Sequence, residues 1–176
     1  MWDVVVRREL RPVIDALKGQ RAGYGDAYAQ LQRDPCVEYP TAKENPATKE
    51  KRPFAYRLSG PLGPKVCGVR LKRGYRLAFT MGPSTEKKYQ GRVHVLYVGE
   101  RDTRDRRGDV WQIVHDLFGV ENPPADHVRP PCCDSGFPVL DEQELADFMA
   151  AMRKLVRGKG KRATTGGTPA RRPRRS

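Results

Sequence analysis

Arginines mark the ends of the apolar runs in the middle of this 176-residue chain. Arg70 lies near the end of VCGVRL, Arg76 near the start of YRLAFTM, and Arg101 just past RVHVLYVGE. Lys72 and Arg73 fill the turn between the first two runs, and Arg104, Arg106 and Arg107 follow Arg101. The chain as a whole carries 34 Lys and Arg against 21 Asp and Glu, a net charge of +13. That balance favours a polyanionic partner, nucleic acid above all, bound through phosphate contacts and counterion release. A basic tail alone would only aid solubility. The tail from Arg157 to Ser176 holds eight of the cations and no acid, yet the remaining body is still at about +5.

Plainer readings stand beside this one. Arg76 and Arg101 can equally pair with acids on a sheet surface, and the mixed charges of residues 101–107 suit a solvated turn. The four cysteines, Cys36, Cys67, Cys132 and Cys133, match no CxxC spacing. They are expected to be reduced, partly buried and apolar in behaviour. His115 and His127 add imidazoles that could join Cys132 and Cys133 at zinc, but adjacent cysteines rarely both reach one tetrahedral ion. No metal or cofactor is expected.

The elements that must hold the arginines come next. Runs of five to eight residues rich in Val, Tyr, Phe and Leu, bounded by Gly and Pro, predict three consecutive antiparallel strands near Lys65–Leu71, Tyr75–Met81 and Arg92–Val98. Trp2–Val6 predicts a first strand, and Phe54–Leu58 more extended chain. In the middle strand Leu77 and Phe79 share one face while Arg76 and Ala78 take the other. Leu10, Val13, Ile14 and Leu17 recur at helical spacing, with Pro12 in the first turn and Gly19 past the end. A weaker helix is predicted over Tyr24–Arg33. Asp109 is an N-cap for a helix over Val110–Phe118, with Val110, Ile113, Val114, Leu117 and Phe118 as its apolar stripe. Asp141 and Glu144 make a capping box for a helix over 141–157, ended by Gly158.

The expected organisation is one α+β domain over 1–156, a small antiparallel sheet with N-terminal helices on one face and an added C-terminal helix. A basic tail at 158–176 is disordered by composition. No run of 18 apolar residues exists, so no membrane span is expected. MWDVVVRREL does not read as a signal peptide, which makes the cytoplasm the expected location.

The order strand, two helices, loop, three antiparallel strands, short helix resembles the RelE/ParE superfamily of type II toxins. The residues that carry the likeness are GYRLAF at Gly74–Phe79, LYVGERD at Leu96–Asp102, DVW at Asp109–Trp111 and LSGPLG at Leu58–Gly63. In the RNA-cleaving branch the resemblance implies a metal-independent endoribonuclease acting on mRNA, in some members on the ribosome, and masked by a cognate antitoxin. The ribose 2′-OH attacks the neighbouring phosphate, which demands a proton acceptor, cations for the phosphorane and a proton for the leaving oxygen. By the same resemblance Arg76 and Arg101 would stabilise the phosphate. Arg70 lies near a family lysine, and Lys72 and Arg73, with Arg104, Arg106 and Arg107, would contact the RNA.

Trp111 departs from the family, whose ribonucleases commonly carry tyrosine there. An indole can stack on a base but only donates a hydrogen bond, so it is no general base. His115, His94, Glu100 and Asp102 are the candidates left for proton transfer, His115 because imidazole titrates near neutrality. Otherwise Trp111 is a core aromatic, His115 a solvated helix residue and His94 a half-exposed strand residue. The departure keeps two alternatives open. One is the DNA gyrase-poisoning branch of the same fold, without nuclease chemistry. The other is a non-catalytic nucleic-acid-binding module.

Overall fold

The computed structural model describes residues 1–19, 22–37, 53–101, 104, 107–123 and 130–162, with only the backbone of Gly19 and of 157–162. The fold is α+β. Five strands form one sheet: β1 (Asp3–Val6), β2 (Ala55–Arg57), β3 (Cys67–Arg70), β4 (Tyr75–Gly82) and β5 (Arg92–Glu100). Their order is β1-β5-β4-β3-β2. The β2–β3, β3–β4 and β4–β5 pairs are antiparallel, as expected, but β1 joins β5 in parallel. The sheet is therefore mixed. A parallel neighbour needs a long crossover, and the stretch between β1 and β2 supplies two helices, α1 (Arg11–Gly19) and α2 (Tyr24–Arg33). They pack against β5 and β1 respectively.

Local signals explain most boundaries. Pro12 sits in the first turn of α1, where no helical N–H is lost. Helix α3 (Val110–Phe118) begins at Asp109, whose carboxylate accepts from the backbone N–H of Trp111 at 2.8 Å and of Gln112 at 3.4 Å. It ends at Gly119, at φ 67°, where only glycine is unstrained. Helix α4 opens on the expected reciprocal box: Glu144 N–H donates to Asp141 at 2.7 Å, and Asp141 N–H to Glu144 at 3.2 Å. It does not stop at Gly158 but runs from Glu142 to Arg162. Glycine costs a helix about 1 kcal/mol without forbidding it, and lysines and arginines suit a helix C-terminus.

The sheet is covered on both faces, since Val69, Leu77 and Val98 are buried on one alternation and Tyr56 and Ala78 on the other, where Trp111 of α3 packs against Gly68. The buried side of α3 is Val110, Trp111, Val114 and His115. The stripe expected from hydropathy is thus rotated, and Phe118 turns to Phe148 of α4, ring centres 4.6 Å apart.

The cysteines correct a second expectation. All four are oxidised, as Cys36–Cys133 and Cys67–Cys132. Adjacent Cys132 and Cys133 diverge, one to β3 and one to the chain after α2. They tie down a segment that runs along the outer edge of β2, where Arg57 N–H donates to Pro130 O and Cys132 N–H to Ala55 O, both at 3.0 Å. Sulfur so paired holds no zinc. His127 lies outside the described residues, and no His, Cys, Asp and Glu group among those described could hold a metal. Among the described residues, no helix is long and apolar enough to cross a membrane.

Candidate functional site

Strand register brings the sequence-distant arginines together. Arg70 on β3 pairs with Arg76 on β4, and Arg76 pairs in turn with Gly99 on β5, two residues before Arg101. The backbone N–H of Arg101 donates to Gly74 O at 2.9 Å, which folds the end of β5 back onto the β3–β4 turn. Arg70 is exposed, while Arg76 and Arg101 are half-buried.

The three cations are not equivalent. Arg101 is ion-paired to the buried Asp109, the cap of α3. Among the described residues no carboxylate pairs with Arg70 or Arg76. Arg76 donates to its neighbour's carbonyl, Tyr75 O, at 2.7 Å. Its hold on its proton is weakened by burial first, and further by Arg70 and Arg101, with Tyr56 opposing. A guanidinium does not deprotonate in proteins. Burial and the neighbouring Arg70 and Arg101 thus disfavour the Arg76 charge, with Tyr56 opposing.

Tyr56, on β2, was not singled out by the sequence. It lies opposite Gly68, and a Cβ on that glycine would stand 2.7 Å from Trp111 and 3.1 Å from Tyr56. The missing side chain makes the space in which the two rings meet edge to face, 6.2 Å apart. Arg70 lies over the other part of the Tyr56 ring, 5.2 Å from its centre. The signal was present: a glycine inside an apolar run marks a close approach, and Phe54-Ala55-Tyr56 places an aromatic one strand away.

The remaining candidates sit elsewhere. Trp111 is 3% exposed and in the core, its indole N–H without a partner. His115 is 2% exposed, with Nδ1 2.7 Å from Trp111 O; it is a buried residue of α3 and not a solvated one. His94 pairs with Thr80 and Val5 at the opposite end of β5. Its pKa is lowered to about 4 by burial, then by Arg7 and Arg92, with Asp3 opposing. Glu100 is exposed, on the alternation opposite to Gly99 and Arg101. Lys72 turns to α2, with its amine 3.5 Å from Asp26 and its stem against Gly23. Arg73 is exposed in the turn at φ 55°. Arg104 and Arg107 are exposed, and Arg106 and Asp102 lie outside the described residues.

Arg70, Arg76 and Arg101 thus form a cationic corner backed by Tyr56. Guanidiniums so grouped can hold an oxyanion, and carboxylate or phosphate matches the guanidinium fork. No family model, curated protein or solved structure matches this chain.

Proposed function

We propose that this corner grips an RNA phosphodiester, and that the protein is a RelE/ParE-like toxin acting as a metal-independent endoribonuclease on mRNA. The observation that carries it is the cross-strand pair Arg70 and Arg76, with no carboxylate paired to either among the described residues. Two uncompensated cations side by side repel, and one phosphate between them turns that repulsion into attraction. As the 2′-oxygen attacks phosphorus and the 5′-oxygen leaves, charge grows on the non-bridging oxygens. Arg70 and Arg76 donate to those oxygens, and Arg101 adds its field from the end of β5. Fixed donors of this kind are worth about 10²–10³-fold each.

Proton transfer is then left to water or to a group that the bound target brings, which fits cleavage on the ribosome. A cognate antitoxin would control such an activity by covering the corner. The target places the activity in the cytoplasm, where thiols are kept reduced. Activity there requires the corner to hold its shape without either disulfide.

One observation favours a second reading, a gyrase poison on the same fold. Trp111 and His115 are both buried, so neither presents a proton-transfer group at the corner. The experiment is RNA integrity after brief induction of the wild type and of Arg76→Ala/Arg101→Ala. Discrete cuts that vanish in the double variant at equal soluble protein support the nuclease. Growth arrest with intact RNA and broken DNA supports the gyrase poison, and intact RNA without arrest leaves a binding module.

A further inference from the structure

Tyr56 is an aromatic residue held from every side. Its ring meets the Trp111 edge at an interplanar angle of 83° and fits the space left by Gly68. Its backbone is closed in by β3 on one side and by Pro131 on the other. The Arg70 guanidinium sits over the ring, 5.2 Å from its centre, and Arg76 is Arg70's cross-strand partner on the same face of the sheet as Tyr56. Tyr56 itself is 3% exposed, whereas Arg70 is exposed and Arg76 half-exposed.

Long arginine side chains lose substantial rotamer freedom when they are fixed in one place. A site that holds them beforehand does not meet that cost when the anion arrives. A tyrosine can do this twice over: its face attracts one cation, and its hydroxyl oxygen accepts from another. We propose that Tyr56 is the positioning residue of the arginine corner, aligning Arg70 over its ring and Arg76 at its hydroxyl so that both meet a single phosphate. Tyr56 does not touch the phosphate. This rests on the phosphate-binding part of the proposed function, but not on cleavage.

The two contacts separate by substitution. Tyr56→Phe keeps the ring under Arg70 and removes the hydroxyl from Arg76. Tyr56→Leu removes both. The first measurement uses the full chain, labelled with ¹⁵N, titrated with inorganic phosphate while the Arg70 and Arg76 Nε–H signals are followed. The wild type should shift both signals with one shared affinity. In Tyr56→Phe only the Arg70 signal should still shift, with weaker affinity and unchanged melting temperature. In Tyr56→Leu the joint response should disappear. In RNA cleavage, Tyr56→Phe should lower kcat more than it raises KM, because the arginines matter most to the phosphorane.

A Tyr56→Phe protein whose two signals still shift together at wild-type affinity would overturn the proposal. So would a Tyr56→Leu protein that loses only thermal stability. If Arg76→Ala abolishes cleavage while Tyr56→Phe changes nothing, the nuclease stands and the positioning role falls. If the wild type cleaves no RNA but the coupled phosphate response depends on Tyr56 as described, the positioning role stands and the nuclease falls.

Discussion

The two ends of β5 handle their arginines in opposite ways. At the β1 end, Arg92 Nε donates to Asp3 at 2.7 Å and Nη2 donates to Thr85 at 3.2 Å, so its charge and its donors are met within the chain. Arg57, buried on β2 at the opposite edge of the sheet, spends its guanidinium on two carbonyls, Gly63 O at 3.0 Å and Gly136 O at 2.6 Å. At the other end, Arg70 and Arg76 face each other across β3 and β4 with a tyrosine for company. Arg101 is intermediate, half-exposed but paired to Asp109. A cation given its own carboxylate or carbonyls holds the fold together. Cations without a carboxylate among the described residues are, on the proposed reading, open to an anion from outside.

The sharpest way to break that comparison is to remove an arginine of the corner. Arg76→Ala should lower RNA cleavage by about 10²–10³-fold with no loss of thermal stability, because it also relieves repulsion. A fall in melting temperature with undiminished cleavage would make Arg76 a structural residue like Arg92. Next in size is the effect of reduction. Opening the disulfides should cost about 2–4 kcal/mol for each bridge in denaturant unfolding, while RNA affinity of the folded protein stays the same. Loss of affinity in dithiothreitol would mean that the corner depends on the bridges, and so would not work in a reducing cytoplasm.

Asp3→Ala is the converse of Arg76→Ala. It strands Arg92 in a partly buried place and should cost about 1–2 kcal/mol, below the figure for a fully buried pair because both partners keep some solvent. RNA affinity should not change. Asp109→Asn keeps the helix cap, since asparagine caps as well as aspartate does, and releases Arg101 from its ion pair. RNA binding should then tighten at low salt and become more salt-dependent, which a filter-binding series would read.

The pH-dependent effect belongs to His94, at the Arg92 end, and is absent at neutral pH. Its folded pKa of about 4 lies below the ordinary value of 6.5. Between those values the unfolded chain binds the extra proton, so His94 favours folding above pH 6.5 and loses that contribution as pH falls towards 4. His94→Gln should flatten the stability profile in that window and leave the RNA corner alone. An unchanged profile would place the acid sensitivity elsewhere.

How much of this was legible depended on range along the chain. Tyr24–Arg33 and Val110–Phe118 match their expected helices to the residue, because apolar spacing and, for the second, Asp109 and Gly119 act within a few positions. Arg70, Arg76 and Arg101 were nominated, and strand register then placed them together. Tyr56 was passed over because its importance depends on Gly68 and Trp111, twelve and fifty-five positions away. His115 was misread for the same kind of reason: helical spacing put it on the polar side, whereas Trp111 filling the gap at Gly68 turned it inward.

The sequence by itself determined the α+β composition, the central antiparallel strands, the caps of α3 and α4 and the surplus of positive charge. These follow from the period of apolar residues, from side chains that satisfy nearby backbone groups, and from counting. Only the tertiary structure decided which arginines lack a carboxylate, that β1 runs parallel to β5, and that Cys132 and Cys133 part company to reach Cys67 and Cys36. Pairing of this sort depends on where distant segments come to rest, and that is set by burying both faces of the sheet together, a condition that no local window contains.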